Sequence, residues 1–250
     1  MRLRELFSTV ATLLVAGTLV SQSASAATYT IDWLTQSPPA IGASIPNGSV
    51  YTVAGIGNVT VTYSIGALVS DSRSSSPSFI VGSVTPGDTY QWSDYEYFGT
   101  ILTAGPDPIV PVLSTVTYTF PATLSPGTVY VGTIGLGATT SFGGGTSTMT
   151  VNQNGTYLGD FAGSGGFGLS QFTPGAGTFQ VQNSVTGAGG QDPHWNTQLA
   201  VVRIDDYVSS ITIEHRGLRG DGIGANVGFI PDYATKSAGT SWGRIKSLYK

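Results

Sequence analysis

Short runs of alternating apolar and polar residues, bounded by turn residues, recur between residues 28 and 230. No dozen consecutive residues there keep apolar side chains at helical spacing without an interrupting glycine, proline or threonine. In Asn58–Ile65, Val59, Val61 and Tyr63 alternate with threonine and serine, as in a strand with one buried face. The pattern predicts about a dozen strands. They are Thr28–Leu34, Ser49–Ala54, Asn58–Ile65, Tyr95–Leu102, Ser114–Phe120, Thr128–Gly135, Ser147–Asn152, Thr156–Phe161, Thr178–Asn183, Gln198–Ile204, Ser209–His215 and Ala225–Ile230.

The connections between these runs are short and rich in turn residues. Asn154-Gly155 lies between two strand runs and is typical of a two-residue hairpin turn. Strand signals resume soon after the glycine-rich segments 143–145, 163–168 and 187–190, so we expect surface loops there rather than linkers. Many short strands without connecting helices predict an all-β fold, an antiparallel two-sheet β-sandwich of jelly-roll type. We expect residues 27–231 to form this single domain.

The composition argues against several classes of function. Only 10% of the residues are charged and the net charge is −4, which is unsuited to binding a nucleic-acid backbone. The chain has no cysteine, which excludes disulfides and thiolate zinc sites. Stability must therefore come from a packed core, from strand hydrogen bonds, or from a bound hard cation.

The N-terminal segment has the order of features found in a bacterial secretory signal peptide. Arg2 and Arg4 precede an apolar run, Leu6–Val20, which is followed by Ala24-Ser25-Ala26. The run is shorter than the roughly 20 residues that a membrane-spanning helix needs, which favours cleavage over anchoring. We expect residues 1–26 to be removed, the mature chain to start near Ala27, no membrane span to remain, and the protein to be secreted or held at the cell surface.

Both ends of the expected domain resemble a known group of exported proteins. Tyr29–Trp33, Val208–Ile213 and Gly220–Phe229 resemble the opening and closing strands of secreted bacterial β-sandwich proteins of the PEP-CTERM and choice-of-anchor kind. The resemblance implies an exported surface or matrix component and assigns no functional residues. The chain departs from that group because it has no Pro-Glu-Pro motif and no apolar C-terminal helix. It ends instead in a basic tail, residues 232–250, whose composition is compatible with disorder.

The densest mixture of aromatic and acidic residues lies in Gln91–Phe98. An aromatic ring beside carboxylates suits sugar binding, by stacking and hydrogen bonding. The alternatives are a strand with buried rings and solvated acids, and a retaining glycosidase pair formed by Asp94 and Glu96. An extended strand would place Trp92, Asp94, Glu96 and Phe98 on one face and Tyr95 and Tyr97 on the other.

A second candidate ligand-binding segment follows the last glycine-rich loop. Gln191–Asn196 contains His194 and Trp195, and Pro193 disfavours helix at Asp192. We expect an exposed loop in which His194 and Trp195 contact a ligand. The alternative is that Trp195 closes one end of the sandwich core.

Four aspartates are the candidates for a calcium site. Carboxylates in loops suit a hard cation, although neither EF-hand nor nonapeptide spacing is present. The alternative is that they are solvated or form turns. The four are Asp32, Asp205, Asp206 and Asp221.

These observations predict an exported, non-enzymatic sandwich at the cell surface or in the extracellular matrix, with polysaccharide or matrix proteins as partners and without a cofactor, calcium being the exception considered. The first alternative is a carbohydrate-binding module that uses exposed tryptophan and carboxylates. The second is an extracellular glycoside hydrolase.

Overall fold

A computed structural model of the chain describes residues 26–36, 42–64, 67–81, 87–101, 112–138, 146–161, 166–185, 192–217 and 222–231. The predicted signal peptide (all but Ala26), the basic tail and Asp221 lie outside these residues. The prediction of an all-β, two-sheet sandwich is confirmed. The fifteen strands in the described residues are β1 Thr28–Thr30, β2 Asp32–Trp33, β3 Ser49–Val53, β4 Gly57–Ser64, β5 Ala67–Val81, β6 Asp88–Ile101, β7 Val112–Leu124, β8 Val129–Ile134, β9 Thr148–Val151, β10 Gly155–Phe161, β11 Ser170–Pro174, β12 Phe179–Asn183, β13 Leu199–Ile204, β14 Val208–Gly217 and β15 Gly222–Phe229.

The strands form one sheet of eight and one of seven. The eight-stranded sheet has the order β1-β6-β15-β8-β13-β10, with β2 also paired to β15 and β5 to β6. The seven-stranded sheet has the order β11-β12-β9-β14-β7-β4-β3. Neighbouring strands are antiparallel except for β1, which runs parallel to β6. No helix of the described residues is long and apolar enough to span a membrane.

The strand count differs from the sequence prediction in three places. The run Thr28–Leu34 is split into β1 and β2, and strands β5 and β11 were not predicted. Strand β5 has the sequence ALVSDSRSSSPSFIV, whose consecutive polar residues give no alternation with period two. It is a strand because it pairs with β6 along a long hairpin that carries three register shifts. Pairing with a neighbour thus overrides the weak local pattern.

The main core lies between the two sheets. Inward-facing side chains of both sheets form it, and among them Val61, Tyr118, Val131 and Ile213 are buried almost completely. Burial of this alternating apolar set is the dominant favourable contribution to folding.

A second cluster covers the other face of the eight-stranded sheet. Strands β8 and β13 are nearly buried along their whole length because successive residues contact different clusters: Val131 faces the main core and Tyr130 the second. Strand β5 also comes close to β10 at the far edge, so this sheet curls around the second cluster. The second cluster comprises Ile31, Trp33, Tyr90, Trp92, Tyr95, Tyr130, Ile134, Leu158, Phe161, Leu199, Val201 and Ile230.

Two glycines leave the space that the Trp33 ring occupies in the second cluster. A Cβ on Gly132 would lie 2.9 Å from the Trp33 ring, and one on Gly228 would lie 2.6 Å from it. These strands accept the indole because neither position carries a side chain. Beside them, Asn226 donates to the carbonyls of Leu34 (2.6 Å) and Glu96 (2.7 Å), where β2 replaces β6 as the neighbour of β15.

Candidate functional site

The aromatic and acidic strand predicted as a sugar-binding face lies largely in the interior. Trp92 is 4% exposed, and Tyr95 and Glu96 are 0% exposed. The expected division of faces was wrong, because Trp92 and Tyr95 both belong to the second cluster whereas Phe98 belongs to the main core. A bulge in β6 causes the change, since the register jumps between Trp92 and Tyr95 and reverses the side on which the following residues lie. The side chains of Asp94 and Tyr97 are outside the described part of the structure.

The buried side chains of this strand pack against other rings and hydrogen-bond to backbone. The ring of Trp92 meets Phe161 edge to face at a centroid distance of 5.2 Å, and the ring of Tyr95 meets Trp33 in the same way at 4.7 Å. The Glu96 carboxylate accepts a hydrogen bond from the backbone N–H of Gln36 at 2.8 Å. Glu96 therefore fixes the chain that leaves β2, a role that leaves it badly placed to act on a sugar in solvent.

The loop of Asp192–Asn196 is exposed, as expected, and its turn is ordered by its own residues. The Asp192 Oδ1 atom accepts from the His194 backbone N–H at 2.7 Å and lies 3.1 Å from His194 Nδ1. The first of these hydrogen bonds is the largest reason why the pKa of Asp192 is lowered. The side chains of His194 and Asp192 are 55% and 42% exposed. Both can therefore reach a ligand, whereas Trp195 is half-buried.

A buried amide fixes this loop to the body of the sandwich. Asn183, at the end of β12, is 0% exposed. Its Nδ2 donates to the carbonyls of His194 (3.0 Å), Trp195 (3.0 Å) and Leu136 (3.1 Å). Its Oδ1 accepts from Val185 N–H at 2.9 Å. One side chain thus connects three loops, which holds His194 in a defined position.

The glycine-containing segment 166–169 packs directly against residues 194–197, which precede β13. A Cβ on Gly166 would lie 2.0 Å from the Thr197 carbonyl oxygen, and one on Gly168 would lie 2.7 Å from that of His194. Only glycine permits this approach. The Gly168 N–H donates to the Asn196 carbonyl at 2.8 Å.

The close packing of these glycines leaves large apolar side chains in solvent. Phe167 is 64% exposed and Leu169 is 56% exposed, on either side of the buried Gly168. Val185 is 37% exposed next to Ser184, whose N–H donates to the Leu169 carbonyl. The loop-end surface, defined as Phe167, Leu169, Val185, Asp192 and His194, is the candidate functional site. Its exposed ring lies on a segment whose backbone is hydrogen-bonded to the loop that carries the carboxylate and the imidazole.

Of these five residues, only His194 was predicted from the sequence to contact a ligand. Trp195 was predicted with it but is not part of this surface, and segment 163–168 was predicted only as a glycine-rich surface loop. The signal that sequence reasoning missed is the presence of two large apolar residues, Phe167 and Leu169, among glycines, where no strand alternation buries them.

The predicted calcium ligands do not come together in the described residues. The Asp205 carboxylate accepts from Thr156 Oγ1 (2.5 Å) and Arg203 Nε (2.8 Å), and Asp206 accepts from Asn154 N–H (2.6 Å). Asp32 lies three strands away from the end of β13, a separation of about 14 Å. No three His, Cys, Asp or Glu side chains of the described residues are grouped as metal ligands. The calcium site stays a prediction, and Asp221 lies outside the described residues.

One further carboxylate joins the two sheets at their edges. The Asp160 Oδ2 atom accepts from the Tyr157 hydroxyl at 2.6 Å and from Ser170 N–H at 2.9 Å, which connects β10 of one sheet to β11 of the other. Burial, together with this carboxylate, raises the pKa of the Tyr157 hydroxyl far above its ordinary value. The Tyr157 side chain therefore stays a neutral hydroxyl throughout the physiological range.

Comparison of the chain with protein families, with curated proteins and with solved structures found no match. The function is therefore argued from the chain's own residues and geometry.

Proposed function

We propose that this protein is an exported, non-enzymatic β-sandwich that serves as a component of the cell surface or extracellular matrix. Export is supported by the charged, apolar and small-residue order of residues 1–26 and by the resemblance of the terminal strands to secreted sandwich proteins. Polysaccharide or other matrix proteins are the partners that such a surface would meet.

The main support for a non-enzymatic role is that most of the described carboxylates accept hydrogen bonds within the protein. Six of them accept hydrogen bonds from the protein itself. Asp88, Glu96, Asp160, Asp192 and Asp206 accept from backbone N–H groups, and Asp205 accepts from the side chains of Arg203 and Thr156. A catalytic carboxylate instead has to exchange a proton with, or attack, a bound substrate. These carboxylates are used as structural acceptors, with Asp192 also open to a ligand, and their arrangement supports a scaffold.

The test uses the full chain, expressed with its own N-terminus in a bacterium and recovered after export. We expect no turnover on a panel of polysaccharides and aryl glycosides. Turnover that is lost in Glu96→Gln or Asp94→Asn, while the folded state is kept, would overturn the non-enzymatic role and restore the hydrolase alternative.

A specific observation favours carbohydrate binding as a second candidate function, now at the loop-end surface. Phe167 offers an exposed aromatic face, on which the C–H groups of a pyranose stack. Asp192 and His194, on the adjoining loop, supply an acceptor and an imidazole for sugar hydroxyls. The described side chains of Trp92, Tyr95 and Glu96 on β6 offer neither, because they are buried.

Retention on insoluble and soluble polysaccharides tests this second function. Phe167→Ala should weaken retention several-fold, whereas Tyr207→Ala should leave it unchanged. Tyr207 is a matched control because its ring is 75% exposed at the opposite end of β13. Absence of retention, or equal loss in both variants, would remove carbohydrate binding at this surface.

A further inference from the structure

Ala27, the first residue after the predicted cleavage position, is held at both of its backbone groups. Its N–H donates to Asp88 Oδ1 at 3.0 Å, and its carbonyl accepts from Thr89 N–H at 2.8 Å. Strand β1 then continues parallel to β6 from Thr28 opposite Thr89. Ala26, on the other side of the peptide bond, is exposed. Ala27 is thus already held to β6 at the position where the sequence predicts that the mature chain begins.

Asp88 is a buried acid whose hydrogen bonding is sparse. It is 3% exposed, and the Ala27 N–H is the donor found for its carboxylate among the described residues. The ion pairs within the same residues, His194 with Asp192 and Arg203 with Asp205, do not include it. A buried carboxylate with one neutral donor is costly, and a positive charge at the donor would offset that cost.

We propose that cleavage of the Ala26–Ala27 peptide bond creates this positive charge, so that the new α-ammonium group of Ala27 forms an ion pair with Asp88. An endopeptidase that cuts after small residues would add water across the bond. The hydroxyl goes to the carbonyl carbon of Ala26, which leaves as a carboxylate, and the nitrogen of Ala27 gains the protons. An α-amino group has an ordinary pKa of about 7.7–8.0, so it is mostly protonated at neutral pH. The inference rests on the proposed export.

The ion pair has a direct structural consequence for the N-terminal strand. Charge-assisted hydrogen bonds are roughly twice as strong as neutral ones. The hydrogen bond from the Ala27 nitrogen to Asp88 Oδ1, already present in the uncleaved chain, thereby becomes stronger after processing. Strand β1 carries Tyr29, whose ring stacks on Tyr90 of β6 at a centroid distance of 5.3 Å. Processing therefore stabilises β1 against β6 and the edge of the second cluster.

The test expresses the full chain, recovers the exported protein, and compares thermal unfolding midpoints in a four-way cycle. One change inserts Gly-Ser between Ala26 and Ala27, which keeps the predicted cleavage signal but turns the Ala27 nitrogen back into an amide. The other is Asp88→Asn. We expect the insertion to lower the midpoint by about 2–4 °C when Asp88 is present, the shift for one such interaction in a domain of this size, and to have little effect in Asp88→Asn.

Each outcome decides between separate parts of the proposal. N-terminal sequencing of the wild-type protein should give Ala27, and a different first residue would overturn the cleavage position and with it the ion pair. Correct processing with equal midpoints for wild type and insertion would overturn the ion pair alone. That comparison does not depend on whether Asp88→Asn folds. Retention of the whole chain in the cytoplasm would instead overturn the proposed export.

Discussion

Acidification should destabilise this protein through His215. The side chain lies on β14 opposite Ser114 and Met149 and is 0% exposed. Burial lowers the pKa of His215 from 6.5 to about 4. Between these values the unfolded chain binds a proton that the folded chain does not, so the free energy of unfolding falls as the pH falls. At 1.36 kcal/mol for each pH unit, the loss from this one group is about 3 kcal/mol, complete below about pH 4 and absent above about pH 6.5.

Urea unfolding at a series of pH values from 7.5 to 4 measures this loss. His215→Gln removes the titrating group. As the pH falls from 7.5 to 4, the free energy of unfolding of this variant should rise by about 3 kcal/mol relative to that of the wild type. Ser114→Ala is the matched control, because Ser114 is buried opposite His215 and its hydroxyl donates to the Ser64 carbonyl at 2.9 Å. It should lower stability by the same amount at every pH. Parallel curves for wild type and His215→Gln would refute the reasoning.

Two substitutions test the packing that positions the rest of the molecule. Gly228→Ala places a Cβ 2.5 Å from Ile31 and 2.6 Å from the Trp33 ring, and this overpacking should cost about 1–3 kcal/mol in urea unfolding. An unchanged urea midpoint would mean that the Trp33 ring does not pack against Gly228. Asn183→Ala leaves three loop carbonyls without their donor, so amide hydrogen exchange across residues 192–198 should accelerate at least tenfold. Unchanged protection there would show that Asn183 does not hold the loop.

Strands with a clear two-residue period could be predicted from the sequence, and those shaped by their neighbours could not. The alternation in Asn58–Ile65 corresponds to β4, Gly57–Ser64. Strand β5 was not predicted because its serine-rich sequence has no such period, and its structure depends on pairing with β6. Alternation reports a buried face, whereas pairing is a property of two segments that are distant in sequence.

The candidate site was only partly predictable for the same reason. Counting residues along an extended strand placed Trp92 and Glu96 on one face, but a bulge in β6 separates them, and local composition does not reveal the bulge. His194 could be predicted to be exposed because it follows a proline in a polar loop. The exposure of Phe167 was not predicted, since it follows from the approach of Gly166 and Gly168 to residues 194–197.

Export is the central claim of this account, and cell fractionation tests it most directly. The full chain and a Leu13→Arg, Leu14→Arg variant, which breaks the apolar run of the predicted signal peptide, would be expressed side by side in a bacterium. The account predicts that the wild-type chain is recovered outside the cytoplasm, shortened at its N-terminus, and that the variant stays inside at full length. Recovery of both chains in the cytoplasm at full length would contradict it.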